Sequence, residues 1–317
     1  MKSLLITRAI SDPVRERAEG LFDVTVREGA ALTEAEATEA LERYDAVLPT
    51  VGDAFTRAAF EAAGTIKAQI LANFGVGWNH IDGAAAADHG VMVSNTPDVL
   101  TDATADIGFL LLLGVARRAA EGEALVRSGT WGGFGPKGML GAHVTGKRLG
   151  VVGMGRIGQA VARRGHYGFG MEVAFFNRSP KTVDLPARQV DRLTDLAAMV
   201  DFLVVTVPGG EETTHLIDSA VLAAMQPHAF LINIARGEVV DEAALIEALE
   251  AGAIAGAGLD VFEREPHVPE RLRALKNTFL LPHLGSATVG TRVAMGQLAL
   301  DNIIDWSEGR TPRTQVA

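Results

Sequence analysis

Short apolar runs alternate with amphipathic stretches along the first hundred residues. Two stretches, 33–43 and 53–63, repeat apolar residues with helical spacing. The apolar runs around them have the length of buried strands, at 4–7, Ala46–Leu48, 66–72 and 91–94. Strands that alternate with helices in this way predict βαβ units, which form a parallel sheet with helices on its faces.

A second series of strands begins after one long helical pattern at 100–128 and a glycine-rich loop at 129–136. Its apolar runs predict strands at 151–152, Glu172–Phe176, 202–207, 230–234, 256–260 and 278–281. The pattern ends with a helix at Val289–Ser307, after natural hinges at Pro97 and 282–287.

The order of these segments predicts the domain organisation. If the last helix packs back on the N-terminal half, the second series forms a domain inserted into the first. The expected fold is therefore α/β, with two Rossmann-like, doubly wound parallel-sheet domains. We place the boundaries at 1–99 with 288–317 for one domain and at 100–287 for the inserted domain.

Composition narrows the classes of partner. The 317 residues include 39 acidic and 29 basic side chains, which gives a net charge of −10. Nucleic-acid binders usually carry a basic face, so no nucleic-acid partner is expected. The absence of cysteine excludes disulfides, thiolate metal sites and cysteine nucleophiles, and it fits the reducing cytoplasm in which we expect the protein.

No segment predicts a membrane or secretory role. The most apolar stretch, 107–116, falls well short of the roughly 20 apolar residues that a membrane-spanning helix needs. The apolar run before Arg8 is too short for the core of a signal peptide. We therefore expect no membrane partner.

The strongest motif is a GxGxxG turn made of Gly153, Met154, Gly155, Arg156, Ile157 and Gly158. It follows a predicted strand and opens a predicted helix, which is the context of a dinucleotide-binding turn. Two glycines allow the backbone to turn tightly and approach a pyrophosphate, and the third allows the helix to pack closely on the strand. Free N–H groups at the helix start favour the negative phosphates.

The end of the next strand predicts which dinucleotide binds. An NAD site usually has an acidic residue roughly 20 residues after the glycines, where it accepts a hydrogen bond from the ribose 2′-hydroxyl. Asn177 stands there instead, followed by a guanidinium, a hydroxyl and an ammonium group from Arg178, Ser179 and Lys181. These groups suit a 2′-phosphate, so NADP(H) is expected in preference to NAD(H).

Four polar residues of the second series lie just after predicted strands: Arg236, Asp260, Glu265 and His283. Ligands bind outside the carboxyl ends of strands in open α/β sheets, so these residues are expected near the dinucleotide. An arginine can hold a substrate carboxylate and a developing oxyanion. A histidine beside a glutamate can act as a general acid for a carbonyl that receives hydride.

Other chemistries lack support in the sequence. The stretch 141–147 matches most of a phosphate-binding GxxxxGK loop, but Arg148 follows where serine or threonine is required. No HExxH zinc motif and no GxSxG hydrolase motif is present. We therefore expect neither a metal site nor a serine nucleophile.

Nearly the whole chain resembles the D-2-hydroxyacid dehydrogenase family. The segments that carry the resemblance include the glycine turn and 73–79 (NFGVGWN), 95–97 (NTP), 101–106 (TDATAD), 233–237 (NIARG), 258–263 (GLDVFE) and 282–288 (PHLGSAT). Within the family the chain is most similar to the glyoxylate/hydroxypyruvate reductases, whose bacterial members often carry an Asn-Arg-Ser/Thr cofactor loop. The implied reaction is NADPH-dependent reduction of glyoxylate to glycolate and of hydroxypyruvate to D-glycerate.

The resemblance also implies roles for individual residues. Arg236 would bind the substrate carboxylate and polarise the carbonyl, His283 would be the acid/base, and Glu265 would orient and charge His283. The backbone at Val76 and Gly77, near Ser286, would clasp the carboxylate from the other domain. The residues implied at the cofactor beyond the glycine turn and its loop are Thr104, Val207, Pro208, Thr213, Ile234, Ala235, Asp260, His283 and Gly285, with Asp260 on the nicotinamide carboxamide.

Family architecture implies that 1–99 with 288–317 is a flavodoxin-like substrate-binding domain and 100–287 an NADP(H)-binding domain. It also implies a homodimer formed through the nucleotide domain, by the long helix and the loop around Trp131 and Phe134.

Two other functions stay open. A 2-ketogluconate reductase would use the same Arg, Glu and His, with its substrate distinguished by Trp78, Asn79, the 131–134 loop and Arg292. A more distant alternative is a non-catalytic protein that senses NADP(H) and docks other proteins.

Overall fold

The fold is α/β, and every pair of neighbouring strands within its sheets is parallel. The computed structural model describes residues 1–317. Its strands are β1 (Ser3–Ile6), β2 (Asp23–Val26), β3 (Ala46–Leu48), β4 (Ile70–Ala72), β5 (Met92–Ser94), β6 (Arg148–Val152), β7 (Glu172–Phe176), β8 (Ala187–Val190), β9 (Phe202–Val205), β10 (Phe230–Asn233), β11 (Gly256–Leu259) and β12 (Thr278–Leu280).

Helices connect most of these strands. They are α1 (Asp12–Glu19), α2 (Glu34–Arg43), α3 (Arg57–Ala62), α4 (Gly83–Asp88), α5 (Thr101–Ala116), α6 (Ala119–Arg127), α7 (Arg156–Arg163), α8 (Leu193–Met199), α9 (Ser219–Ala224), α10 (Glu242–Glu250), α11 (Glu270–Ala274) and α12 (Val289–Ser307). A π-helical turn, Arg164–Gly168, continues α7, and short 3₁₀ turns occur at Glu211–Thr213 and Gly237–Val239.

The chain divides into two compact units. The first consists of Met1–Leu100 and Ser286–Ala317, and the second, Thr101–Gly285, is inserted between these two segments. Each unit contains one all-parallel sheet. The predicted fold class, two parallel-sheet domains with one inserted into the other, is therefore confirmed.

The first unit has five strands in the order β2-β1-β3-β4-β5. This is the flavodoxin-like order, in which the chain first builds the sheet to one side of β1 and then to the other. The final helix α12 belongs to this unit and packs against α1. Gly296 of α12 lies so close to Val14 of α1 that an added Cβ would be 2.9 Å from its side chain.

The second unit has seven strands in the order β12-β11-β10-β9-β6-β7-β8. The strand order reverses between β6 and β9, so the crevice at their carboxyl ends is the place where such sheets bind ligands. Strands β9 and β10 are buried along their whole length, as expected for parallel strands covered on both faces. This sheet therefore places the loops after β6, β9, β10, β11 and β12 at one edge.

The single helix predicted at 100–128 is wrong, because the structure has two helices there. The chain breaks after α5 at Arg118, which has a left-handed backbone (φ 56°) and starts α6. The end of α5 is closed by another segment, since the Ala142 N–H donates to the Ala116 carbonyl at 2.8 Å. Because Ala116 is thereby tied to a distant segment, apolar periodicity alone did not indicate the break.

Two strands were missing from the sequence prediction, β2 and β8. Both lie at the edge of their sheet. Their sequences, DVTV and ARQV, mix polar with apolar residues because one side of an edge strand faces solvent. Neither sequence forms the continuous apolar run that identified the central strands.

Candidate active site

The three motif glycines have three different local environments. Gly153, directly after β6, has a φ of 93°, which favours glycine. A Cβ on Gly158 would overlap the Gly153 carbonyl oxygen, so the start of α7 packs directly on the turn. Gly155, the N-cap of α7, has open space where a Cβ would be and no side chain capping the helix. The turn thus has the free backbone and the open approach that a pyrophosphate requires.

The loop after β7 is tied to this turn through Asn177. Its Oδ1 accepts a hydrogen bond from the Met154 N–H at 3.2 Å, and its Nδ2 donates to the Ser179 carbonyl at 2.9 Å. Gln189 of β8 supports the same loop, since its Oε1 accepts from the Lys181 N–H at 2.9 Å. The structure therefore brings Asn177, Ser179 and Lys181 together beside the glycine turn.

Arg178 of this loop forms an ion pair with Glu212. Its side chain is 83% exposed and that of Glu212 is 78% exposed, so solvent screens the pair strongly. Such a weak pair leaves the Arg178 guanidinium available to an anionic group that binds at the loop.

The segment after β9 forms the other wall of the crevice. Thr206 Oγ1 donates to the Gly153 carbonyl at 2.6 Å, which joins the ends of β9 and β6. A Cβ on Gly153 would lie 2.7 Å from the Val207 side chain. Thr213 Oγ1 donates to the Pro208 carbonyl at 2.7 Å and thereby closes the following loop. Val207, Pro208 and Thr213 thus lie on one loop next to the glycine turn.

His283 and Glu265 form a hydrogen-bonded pair. The His283 Nδ1 lies 2.8 Å from Glu265 Oε2, and Glu265 Oε1 accepts from the Phe262 N–H at 3.1 Å. Burial raises the pKa of Glu265, but the hydrogen bond and charge of His283, together with Phe262 and Arg236, more than offset it and leave the pKa below its ordinary value. Glu265 is therefore ionised at neutral pH and fixes the Nδ1 proton of the imidazole, which leaves Nε2 for chemistry.

Asp260 holds the backbone that carries His283. Its two carboxylate oxygens accept hydrogen bonds from the Leu284 N–H at 2.6 Å and the Gly285 N–H at 2.8 Å. Its carbonyl accepts from the His283 N–H at 2.8 Å. Burial raises the pKa of Asp260, and the two N–H groups and His283 offset part of that rise. Thr104 of α5 lies beside the same turn, 3.4 Å from where a Gly285 Cβ would be.

Arg236 follows β10 in a turn shaped by Asn233. Asn233 is buried, its Nδ2 donates to the Arg236 carbonyl at 2.9 Å and its Oδ1 accepts from the Ala235 N–H at 3.0 Å. A Cβ on Gly237 would overlap the Phe262 carbonyl, so the turn abuts the loop that leads to Glu265. Burial lowers the pKa of the Arg236 guanidinium, and Glu238 and Glu265 offset part of that effect.

One edge of the second unit therefore collects an arginine, a histidine–glutamate pair and a dinucleotide-type turn. A family model described as "D-isomer specific 2-hydroxyacid dehydrogenase, NAD binding domain" matches residues 109–285, which is more than half of the chain. The chain belongs to the D-2-hydroxyacid dehydrogenase family.

Known proteins are similar to this chain along its whole length. Glyoxylate reductase of Thermococcus kodakarensis is 42% identical over 320 residues, covering 99% of this chain and 95% of that protein. The TT0316 protein of Thermus thermophilus superimposes with a TM-score of 0.91 at 40% identity, covering 99% of this chain and 100% of that chain. An NADPH-dependent glyoxylate/hydroxypyruvate reductase from Sinorhizobium meliloti, solved with NADP and malonate, has a TM-score of 0.89 at 38% identity over 100% and 97% of the two chains.

Three residues implied at the substrate lie in the first unit of this dehydrogenase. Val76 and Gly77 are half-buried in the turn after β4, and Ser286 precedes α12 with its carbonyl bound to the Thr288 N–H at 2.8 Å. The second unit holds the remaining predicted residues, including the buried Ile234 and Ala235 after β10.

Sequence reasoning missed several residues that shape the dehydrogenase site. Asn233 lies within the NIARG segment at 233–237, but its hydrogen bonds to Ala235 and Arg236 depend on the turn geometry. Gln189 lies eight residues after Lys181 and Glu212 lies 34 residues after Arg178, and no motif includes either residue. Glu212 stands between Glu211 and Thr213, in a stretch that carries no recognisable sequence pattern.

Three further structural findings concern metal sites, membrane-spanning helices and cavities. No group of three or more His, Asp or Glu side chains is arranged to hold a metal ion. None of the helices combines the length and apolar character needed to cross a bilayer. A cavity lined by Arg118, Glu121 and Lys276, among others, lies at the amino ends of β10 and β12, so it is separate from the candidate site.

Proposed function

We propose that this dehydrogenase reduces small 2-oxoacids with NADPH, converting glyoxylate to glycolate and hydroxypyruvate to D-glycerate. The observation that carries the proposal is the His283–Glu265 pair beside Arg236, at the sheet edge that also bears the glycine turn. Its identity of 42% with an archaeal glyoxylate reductase supports the small substrate. A 2-ketogluconate reductase would use the same groups. Rates of turnover with 2-ketogluconate and with the small 2-oxoacids distinguish the two functions.

The proposed acid is the His283 imidazolium. The Nδ1 proton is held by the Glu265 carboxylate at 2.8 Å, so the Nε2 proton is the one delivered to the substrate oxygen. Arg236, a half-buried residue, binds the substrate carboxylate and stabilises the negative charge that develops on the carbonyl oxygen. When bound, the nicotinamide supplies the hydride.

The proposed cofactor site uses the glycine turn for the pyrophosphate and the loop after β7 for the 2′-phosphate. The open space at Gly155 and the uncapped start of α7 fit a bound phosphate. Arg178, Ser179 and Lys181 would hold the 2′-phosphate in place of the acid that reads a 2′-hydroxyl. Thr104, Val207, Pro208, Thr213, Ile234, Ala235, Asp260 and Gly285 would surround the nicotinamide half. The NADP complex of the Sinorhizobium meliloti enzyme supports this choice.

The proposed roles of the units follow. The second unit, predicted from the sequence at 100–287, binds NADP(H). The first unit, predicted at 1–99 with 288–317 and beginning its second segment at Ser286 in the structure, contributes substrate contacts at Val76, Gly77 and Ser286. The absence of cysteine accords with a cytoplasmic enzyme.

We also propose that the enzyme is a homodimer formed through an arm, residues 119–141. Helix α6 in this arm buries none of its residues, and every residue from 128 to 141 is exposed. The arm nonetheless carries large apolar side chains, with Trp131 58% and Phe134 93% exposed. Apolar side chains grouped on an extended surface mark a protein contact, and the matching surface of a second copy would cover them.

Turnover tests the proposed function directly. We expect NADPH to be oxidised rapidly in the presence of glyoxylate or hydroxypyruvate. Tight NADPH binding without turnover of any 2-oxoacid would contradict the proposal.

A further inference from the structure

Two asparagine side chains bind three consecutive carbonyl groups in the first unit. Asn73 Nδ2, just after β4, donates to the Gly75 carbonyl at 2.9 Å and to the Gly77 carbonyl at 3.1 Å. Asn95 Nδ2, just after β5, donates to the Val76 carbonyl between them at 2.9 Å. The turn at 75–77 is therefore held by side-chain amides at every one of its carbonyls.

These hydrogen bonds determine where the neighbouring N–H groups point. In a trans peptide the C=O of one residue and the N–H of the next point in opposite directions. The two asparagines hold the carbonyls of residues 75–77. The N–H groups of the residues that follow each carbonyl, Val76, Gly77 and Trp78, therefore point away from the asparagine side chains. None of these three N–H groups donates to a backbone carbonyl. Successive free N–H groups of this kind form an anion-binding concavity.

Asn73 donates to the turn through Nδ2, but its own Oδ1 accepts no hydrogen bond. The residue is completely buried, and its Oδ1 has no hydrogen-bond partner. Flipping the amide would place that oxygen against two carbonyl oxygens, so the donor assignment is unambiguous. A buried acceptor without a hydrogen bond is unfavourable. The side chain therefore keeps its two hydrogen bonds to the turn at the cost of leaving Oδ1 unpaired.

Asn95 is itself anchored on both sides of its backbone. Its N–H donates to the Thr314 carbonyl at 3.2 Å, and its own carbonyl accepts from Thr314 Oγ1 at 2.6 Å. The C-terminal segment thus keeps the Asn95 amide in reach of Val76.

We propose that Asn73 and Asn95 are positioning residues for the reaction, which orient the N–H groups of the 75–77 turn toward the carboxylate of the 2-oxoacid. This inference rests on the proposed function, in which Val76 and Gly77 bind that carboxylate. Neither asparagine contacts the reacting atoms. Their loss therefore weakens carboxylate binding and leaves the chemical step largely intact.

The test compares Asn95→Ala and Asn95→Asp with the parent enzyme. The KM for glyoxylate should rise about tenfold in Asn95→Ala, and further in Asn95→Asp because a carboxylate there repels both the Val76 carbonyl and the substrate. The kcat at saturation should stay within about twofold of the parent, and the Kd for NADPH should not change. Asn277→Ala is the matched control, since it also removes one amide-to-carbonyl bond, to Leu249 at 3.3 Å, in the second unit. Its KM should equal that of the parent.

Binding without turnover provides a second readout. Calorimetric titration of oxamate into the NADPH-bound protein should show weaker binding in Asn95→Ala, and the Val76 and Gly77 amide NMR signals should lose the shift that oxamate causes in the parent. Asn73→Ser extends the series if it folds, and Asn95→Ala suffices if it does not. A parental KM and oxamate affinity in both Asn95 variants would overturn the inference. A parent without 2-oxoacid turnover would instead overturn the proposed function.

Discussion

His283 occupies a backbone conformation that residues other than glycine rarely adopt. Its φ is 55°, and Asp260 holds it there by accepting hydrogen bonds from the N–H groups of this residue and the two after it. Left-handed backbone in a non-glycine residue is unfavourable, and it persists where the surrounding structure over-determines it. The structure thus stabilises one position of the imidazole, in hydrogen-bond contact with Glu265.

The Glu265 carboxylate should determine the pH range of reduction. Its pKa lies below the ordinary value, so the carboxylate is charged at neutral pH and forms the hydrogen bond with His283. The rate should fall as pH drops through this lowered pKa and the carboxylate gains a proton, and Glu265→Gln, whose side chain does not ionise, should lose this acid limb of the profile. The measurement is kcat/KM for glyoxylate as a function of pH.

Glu263→Gln is the matched control for this experiment. Glu263 lies two residues from Glu265, but its partner is His215, with Oε1 3.6 Å from Nε2. Its substitution should leave the pH profile unchanged. An acid limb that persists in Glu265→Gln would contradict the proposed pairing.

Arg178 should determine the preference for NADPH. Arg178→Ala removes a charged hydrogen-bond donor to the 2′-phosphate, so the Kd for NADPH should rise about tenfold while that for NADH stays constant. Glu212→Gln frees Arg178 from its ion pair and should tighten NADPH binding modestly. Fluorescence titration with each nucleotide measures both effects.

Arg163→Ala serves as the control for the loss of an exposed arginine. Arg163 pairs with Asp184 at 2.6 Å at the end of α7 and lies outside the cofactor loop. The Arg163→Ala variant should bind both nucleotides as the parent does. An unchanged preference in Arg178→Ala would refute the cofactor assignment.

Residue-level chemistry could be predicted where it coincided with a strand end or a glycine turn. Arg236, Asp260 and His283 were predicted at one sheet edge because each follows an apolar run, and side-chain chemistry together with the resemblance suggested their roles. The Arg178–Glu212 pair and the Asn177–Met154 hydrogen bond join segments 34 and 23 residues apart, a separation that no local pattern encodes.

Among the secondary-structure elements, the glycine turn contains one glycine whose substitution should affect binding and another whose substitution should affect stability. Gly155→Ala places a methyl group in open space, so the free energy of unfolding should change little while NADPH binding weakens by tenfold or more. Gly158→Ala drives the same methyl group into the Gly153 carbonyl and should destabilise the second unit by about 2 kcal/mol or more. Urea denaturation and nucleotide titration of the two variants distinguish these effects. Equal losses of stability would contradict the roles given to the two glycines.

Elements were predictable in proportion to their burial. Central strands such as β7 and the terminal helix α12 match the predicted bounds, because continuous apolar runs and a helical period identify them. The edge strand β2 was missed because its solvent-exposed side carries polar residues that interrupt the apolar run. The break at Arg118 was missed because a distant segment, which bonds to the Ala116 carbonyl, stabilises it.

At the scale of the whole molecule, the exposed arm predicts assembly. The parent should sediment at twice the 33.4 kDa mass of one chain, and Phe134→Asp should shift it toward the monomer because a charge would be buried in the proposed contact. Leu21→Asp, at an isolated surface leucine that is 48% exposed, is the control and should stay dimeric. A parent that sediments as a monomer at micromolar concentration would contradict the proposed dimer.

The most direct test of the proposed function is the initial rate of NADPH oxidation with glyoxylate, hydroxypyruvate and 2-ketogluconate, repeated with NADH and with His283→Ala. We expect fast turnover of the two small acids with NADPH, slower turnover with NADH, and a loss of about 10²–10⁴-fold in kcat in His283→Ala with NADPH binding retained. Fast turnover of 2-ketogluconate alone would preserve the mechanism and change the substrate. Tight NADPH binding without turnover of any of the three acids would contradict the proposed function.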